Sequence, residues 1–95
     1  AYPAVKTLRS DLPAEGALDR AEAVLREQGL EIVGRDAMRV EATATTFWFG
    51  FKDDVVVRVR GLDGGSLVDV RSVSRVGRSD LGANARRIEG FLAAF

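Results

Sequence analysis

Residues 52–74 read KDDVVVRVRGLDGGSLVDVRSVS, and the period of two in this stretch decides the fold. Successive side chains of a strand point to opposite faces, so Val55, Val57 and Val59 share one face while Val56, Arg58 and Arg60 share the other. Gly61-Leu62-Asp63-Gly64-Gly65 supplies turn chemistry, and the chain returns from Leu67 to Ser74. In the returning strand Val68 and Val70 join the apolar face. Asp69 and Arg71 then lie beside Arg58 and Arg60 on the wetter face, where opposite charges can pair. The stretch is a hairpin of two half-buried antiparallel strands.

Upstream, Val40 to Thr45 alternates in the same way, with Ala42 and Ala44 following Val40 inward. Leu30, Ile32 and Val33 form a shorter strand, and Gly34-Arg35-Asp36 reads as the turn between the two. Ala4 to Arg9 is a further strand. Thr46 to Phe51 holds Phe47, Trp48, Phe49 and Phe51, with Gly50 marking a bulge or tight connection. Pro13 suits the first turn of a helix and Gly29 its C′ position, with Asp11 or Leu12 at the boundary. Between them Ala14, Ala17, Leu18, Ala21, Val24, Leu25 and Gln28 recur at helical spacing, opposite Glu15, Asp19, Arg26 and Glu27. The last element is a helix capped by Ser79 or Asp80, with Leu81, Ala85, Ile88, Leu92 and Phe95 as its inner stripe. The order is β-α-β-β-β-β-α. The expected fold is an α+β two-layer sandwich: a mainly antiparallel sheet of about five strands with both helices on one face, the other face wet or meeting a partner.

With 95 residues the chain is one small domain with one core. Lys plus Arg and Asp plus Glu are 14 each, so the sequence-wide basicity that marks nonspecific nucleic-acid binding is missing. Cysteine and histidine are absent, which removes thiol nucleophiles, disulfides, histidine triads and the common zinc sites. No cofactor or metal is called for. No apolar run approaches the roughly 18 residues of a membrane span. The chain opens on Ala1-Tyr2-Pro3 without an initiator Met, so a targeting or anchoring segment, if the protein has one, is expected to have been removed, and membrane association would run through that segment.

The densest polar stretch runs from Asp69 to Arg87 and is locally basic, with Arg71, Arg75, Arg78, Arg86 and Arg87. Arg75 and Arg78 flank the Gly77-containing turn into the last helix, whose free N–H groups and dipole favour an anion. Arg71, Ser74, Arg75, Arg78, Ser79 and Asn84 are therefore the candidate ligand contacts, for a phosphate, sulfate or carboxylate held by guanidinium groups and neutral donors. The same residues also fit an internal lock in which Asp80 accepts from Arg75 or Arg78, Ser79 caps the helix, and Asn84 bonds the strand-to-helix loop. Asn84 lies on or beside the apolar stripe, and a buried amide there must have partners.

Asp53-Asp54 are paired carboxylates, but adjacent strand residues diverge, so a solvated strand start with one Arg partner is expected rather than a cation site. Asp63-Gly64-Gly65 is a turn, because the alternating oxygen ligands of a calcium loop are missing. Of the aromatic cluster, one set of rings belongs to the core and the other can form a contact patch. Arg58, Arg60 and Arg71 near such a patch would resemble a single-stranded nucleic-acid platform, but Asp53, Asp54 and Asp69 dilute the field, and no nucleic-acid partner is expected. Catalysis has little to use. Ser72 or Ser74 would need Lys52 or a carboxylate as base, and no catalytic serine residue is assigned.

The stretch DVRSVSRVGRSDLGANARRI (residues 69–88), together with EATATTFWFGFKDDVVVRV (residues 41–59), resembles the family known as domain of unknown function 1499, DUF1499. The resemblance extends upstream through Tyr2-Pro3, Asp11-Leu12-Pro13 and Leu30-Glu31-Ile32-Val33. The family's hallmark pattern falls on Arg71, Ser72, Ser74, Arg75, Gly77, Asp80, Gly82, Asn84, Arg87 and Ile88. It implies no activity, substrate or cofactor. It does imply context: a bacterial or plastid protein placed at the cell envelope or periplasm, often behind a lipoprotein signal or membrane helices. The expected function is a noncatalytic module binding a small anion, an acidic headgroup or a protein partner near the strand-to-helix loop. Two alternatives are a hydrolase-like enzyme using Asp53, Asp54 or Asp80 as acid or base, and a purely structural or assembly domain whose sheet face or edge pairs with another copy.

Overall fold

In the computed structural model, which describes residues 4–45, 52–75 and 81–95 and only the backbone of 81–83, the chain folds in the order β1 (Ala4–Ser10), α1 (Ala14–Glu27), β2 (Glu31–Arg35), β3 (Arg39–Thr45), β4 (Lys52–Leu62), β5 (Gly65–Ser74), α2 (Leu81–Ala94). The strands form one five-stranded sheet in the order β1-β5-β4-β3-β2, and every neighbouring pair is antiparallel. This is the α+β fold the alternation predicts. The hairpin turns at Asp63-Gly64, where Leu62 pairs with Gly65 and Gly64 takes a φ of 76°, a left-handed conformation that suits glycine. Gly65 meets the end of β1 so closely that a Cβ there would lie 2.2 Å from the Ser10 carbonyl oxygen.

Val55, Val57 and Val59 on β4, Val68 and Val70 on β5, and Val40, Ala42 and Ala44 on β3 are all buried on the face that carries both helices. Ala17, Leu18, Ala21, Val24 and Leu25 of α1 and Ile88 and Phe91 of α2 complete the core. Helix α1 ends in a Schellman motif: the Leu30 N–H donates to the Leu25 carbonyl at 3.0 Å and the Gly29 N–H to the Arg26 carbonyl at 3.0 Å, with Gly29 at a φ of 81°. Arg35 at the sheet edge bonds Asp19 and Glu22 of α1 and ties β2 to the helix.

Some local expectations are corrected. Pro13 is the N-cap residue rather than part of the first turn, and Gln28 is exposed at the C-cap rather than on the inner face. Gly34 and Arg35 belong to β2, which carries a bulge between Ile32 and Gly34, so the turn comes later. On α2 the buried side chains are Asn84, Ile88 and Phe91, with Leu92 and Phe95 half-buried, whereas Ala85 is exposed. The aromatic cluster of residues 47–51 lies outside the described residues. Among the described residues no helix is long and apolar enough to cross a membrane.

Candidate functional site

Strand β5 divides the Arg-Ser-x-Ser-Arg motif between the two faces of the sheet. Ser72 and Ser74 point toward the helices; Arg71, Val73 and Arg75 fall on the helix-free face, as the two-residue period requires. The four candidate contacts among the described residues therefore do not converge on one site. Ser74 and Asn84 lie on one side and Arg71 and Arg75 on the other, while Arg78 and Ser79 lie outside the described residues, as does Asp80.

On the helix side, Asn84 is 1% exposed and sits on α2 directly over β5. The Ser72 hydroxyl donates to Asn84 Oδ1 at 2.6 Å, and Asn84 Nδ2 donates to Ser74 Oγ at 3.2 Å. One helical turn on, Arg87 Nη1 donates to Asp53 Oδ2 at 2.8 Å, to Asn84 Oδ1 at 3.2 Å and to Ser72 Oγ at 3.3 Å. Asp53 is 5% exposed and continues the inner face of β4 that Val55, Val57 and Val59 occupy, so it is not a solvated strand start. Among the described residues no buried side-chain polar atom is left without a partner. The cluster joins β4, β5 and α2 internally, with Asn84 bonded to Ser72 and Ser74 of β5 and with Arg87 and Asp53 as its ion pair. Ser72 is fully buried, and its hydroxyl donates to the Asn84 amide oxygen.

On the opposite face Arg75 closes a bidentate contact on Asp54, with Nη2 to Oδ1 at 2.8 Å and Nε to Oδ2 at 2.9 Å, and reaches Thr43 Oγ1 at 3.4 Å. Those hydrogen bonds hold the Asp54 carboxyl below its ordinary value against the opposing effect of burial, and hold the Arg75 guanidinium above its own. Among the described residues Arg75 thus serves Asp54, while Asp80 lies outside them. Both members of the Asp53-Asp54 pair carry an arginine.

The strand register sorts the rest of this face into rows. Val73, Asp54, Thr43 and Glu31 form one row, and Val5, Arg71, Val56 and Glu41 the next. Then come Thr7, Asp69, Arg58 and Arg39, followed by Arg9, Leu67 and Arg60 toward the hairpin turn. Asp69 directly opposes Arg58 across the hairpin, but its Oδ1 accepts the Thr7 hydroxyl at 2.6 Å. Arg39 lies 3.6 Å from Glu41 and 3.7 Å from Asp36, both long contacts. Arg58, Arg60 and Arg71 make no hydrogen bond or ion pair among the described residues.

Two open depressions lie on this face. One, of about 750 Å³, is lined by Asp36, Ala37, Met38, Arg39, Arg58, Val59, Arg60 and Asp69. The other, of about 540 Å³, is lined by Val5, Arg39, Glu41, Asp54, Val56, Arg58, Asp69, Arg71 and Val73. Both volumes lie within the usual range for small-molecule sites. They share Arg39, Arg58 and Asp69 and so adjoin one another along the face, together called the groove below. Val5 at 54% and Met38 at 59% exposure are large apolar side chains left open along it. Arg39, Met38 and Val5 carry no functional signal in the sequence, because their meeting with Arg58 and Arg71 depends on pairings between distant strands. The described residues hold no cluster of acidic groups that could bind a metal ion.

Among solved structures, the crystal structure of Ara h 8.0201 is similar with a TM-score of 0.53 at 14% identity, covering 98% of this chain and 93% of that one. The crystal structure of TTHA0849 from Thermus thermophilus gives a TM-score of 0.48 at 12% identity, again over 98% and 93% of the two chains. At these identities the first likeness speaks to the fold alone. No curated protein matches the sequence. The hallmark residues Arg71, Ser72, Ser74, Arg75, Asn84 and Arg87 occupy the two faces of β5 and the helix above it, and a family model described as "Protein of unknown function (DUF1499)" matches residues 1–95: the chain belongs to the DUF1499 family.

Proposed function

We propose that this protein is a noncatalytic recognition module that binds a small anionic group on the helix-free face of its sheet, through Arg58, Arg60 and Arg71 with Arg39 beside them. One observation carries the reading: guanidinium groups without partners among the described residues line a concave, open surface. Arginine presents a planar fork of donors that matches carboxylate and phosphate oxygens, and an unpaired set facing one groove is poised for such a group. The Asp53, Ser72, Ser74, Asn84 and Arg87 cluster has a different task, which is to hold α2 to the sheet behind the surface. Arg78 and Ser79, which precede α2 in the sequence, are retained as further proposed anion contacts. A place at the cell envelope is proposed from the family resemblance of the sequence.

The test is titration with inorganic phosphate, followed by amide chemical shifts. Shifts are expected in β4 and β5 around Arg58, Arg60 and Arg71, and they should vanish in the Arg58→Gln, Arg60→Gln double variant while surviving in Arg75→Gln. Phosphate shifts confined to the start of α2 and abolished by Arg78→Gln would move the site to the strand-to-helix loop. No phosphate response in the unaltered protein would remove the reading.

A further inference from the structure

We infer that the groove on the helix-free face takes one anionic amphiphile, a carboxylate or phosphate-monoester head carrying an alkyl or acyl chain. The inference rests on the anion-binding reading above and adds the second half of the ligand. The head belongs toward the hairpin turn, where Arg58 and Arg60 lie on adjacent rows of β4 and Arg39 stands across from Arg58. The chain belongs at the other end, where Val5 and Val56 flank Arg71 on neighbouring strands and Val73 follows on β5. Arginine stems supply apolar walls between the two ends while their heads stay wet.

The charge pattern favours a small head over a broad anionic surface. Across the groove Arg39, Arg58, Arg60 and Arg71 are interspersed with Asp36, Glu41 and Asp69, while Asp54 is already neutralised by Arg75, so a bilayer or a nucleic acid laid over the face meets repulsion as well as attraction. A single headgroup placed at Arg58 and Arg60 meets two guanidinium groups, while the one carboxylate directly opposite, Asp69, already accepts from Thr7. Exposed Val5, with Val56 and Val73, offers an apolar strip that a polar ligand leaves unused and an alkyl chain covers.

The experiment compares inorganic phosphate, butyrate and monomeric decanoate by calorimetry and amide shifts, with anionic phospholipid vesicles as a separate arm. Decanoate is expected to bind at least about tenfold more tightly than butyrate, the gain that partial burial of the added methylenes provides. Val56→Thr should cancel that gain and leave butyrate and phosphate unchanged. Arg58→Gln with Arg60→Gln should weaken all three. Equal affinity for butyrate and decanoate overturns the amphiphile and leaves anion binding standing. So does a chain-length gain that survives both Val56→Thr and Val73→Thr, or binding to vesicles without binding to monomeric decanoate. Failure of phosphate, butyrate and decanoate together overturns both readings.

Discussion

The two sides of β5 carry the same kinds of residue to opposite ends. Facing the helices, Ser72 and Ser74 join Asn84, Arg87 and Asp53 in a network with every buried group satisfied. Facing away, Arg71 has no partner among the described residues, and Arg75 is pinned to Asp54 at the margin. A buried polar cluster must be complete, since each missing partner costs the full desolvation of the group left behind. An exposed cation carries no such obligation, because water solvates it. Completeness therefore marks the structural side of the strand, whereas the other side leaves its cations to water.

That contrast is broken most forcefully at Arg87. Arg87→Met strands the buried Asp53 carboxylate, and a loss of about 3 kcal/mol in urea unfolding is expected. Asn84→Leu should cost about 2 kcal/mol by leaving the Ser72 hydroxyl without its acceptor. Adding Ser72→Ala to it should cost less than the sum of the two single changes, since the stranded donor is gone; strict additivity would show that the two side chains do not act as a unit.

The Asp54–Arg75 pair should matter less, because the side chains are 38% and 51% exposed and solvent screens them. Asp54 titrates below its ordinary value in the folded protein, so the unfolded chain binds more protons in that interval. The pair's contribution is complete above the ordinary aspartate range and is lost as pH falls through the lowered value. Arg75→Gln should accordingly flatten the acid limb of the stability profile while leaving its neutral and alkaline parts parallel to the original. Smallest of all, Arg58→Gln with Arg60→Gln should shift stability by no more than about 0.5 kcal/mol while removing the phosphate response. A large loss of stability there would mean that the open face is structural after all.

Much of this is readable from residue order. The alternation of Val55, Val57 and Val59 against Val56, Arg58 and Arg60 fixes two strands and their buried side, and Asn84 announces its burial by standing beside Ile88. The same parity, applied to residues 71–75, separates the serines from the arginines; grouping them by composition merges two faces into one site. Asp53 lies in phase with the inner valines, yet a carboxylate on an apolar face reads as solvated until its cation is known, and Arg87 comes from a helix whose phase the apolar residues alone misplace. Setting Ala85 on the inner stripe puts the apolar face where small residues stand, whereas Asn84 and Phe91 take the buried positions. The groove is less accessible still. Its Arg39, Arg58 and Val5 lie on three strands, and their neighbourhood follows from the cross-strand pairings of β3 and β1 rather than from any local pattern.

The place of β1 at the sheet edge has a kinetic consequence. Its pairing with β5 joins Ala4 to Ser72 and Ser10 to Ser66, so β1 waits for α1 and the whole β2–β4 meander to be synthesised before its partner exists. The meander can zip through short loops, but docking β1 closes a loop of most of the chain and should come late in folding. Until then the outer edge of β5 is open to strands from other molecules, which gives the slowest step of assembly the greatest exposure to misassociation.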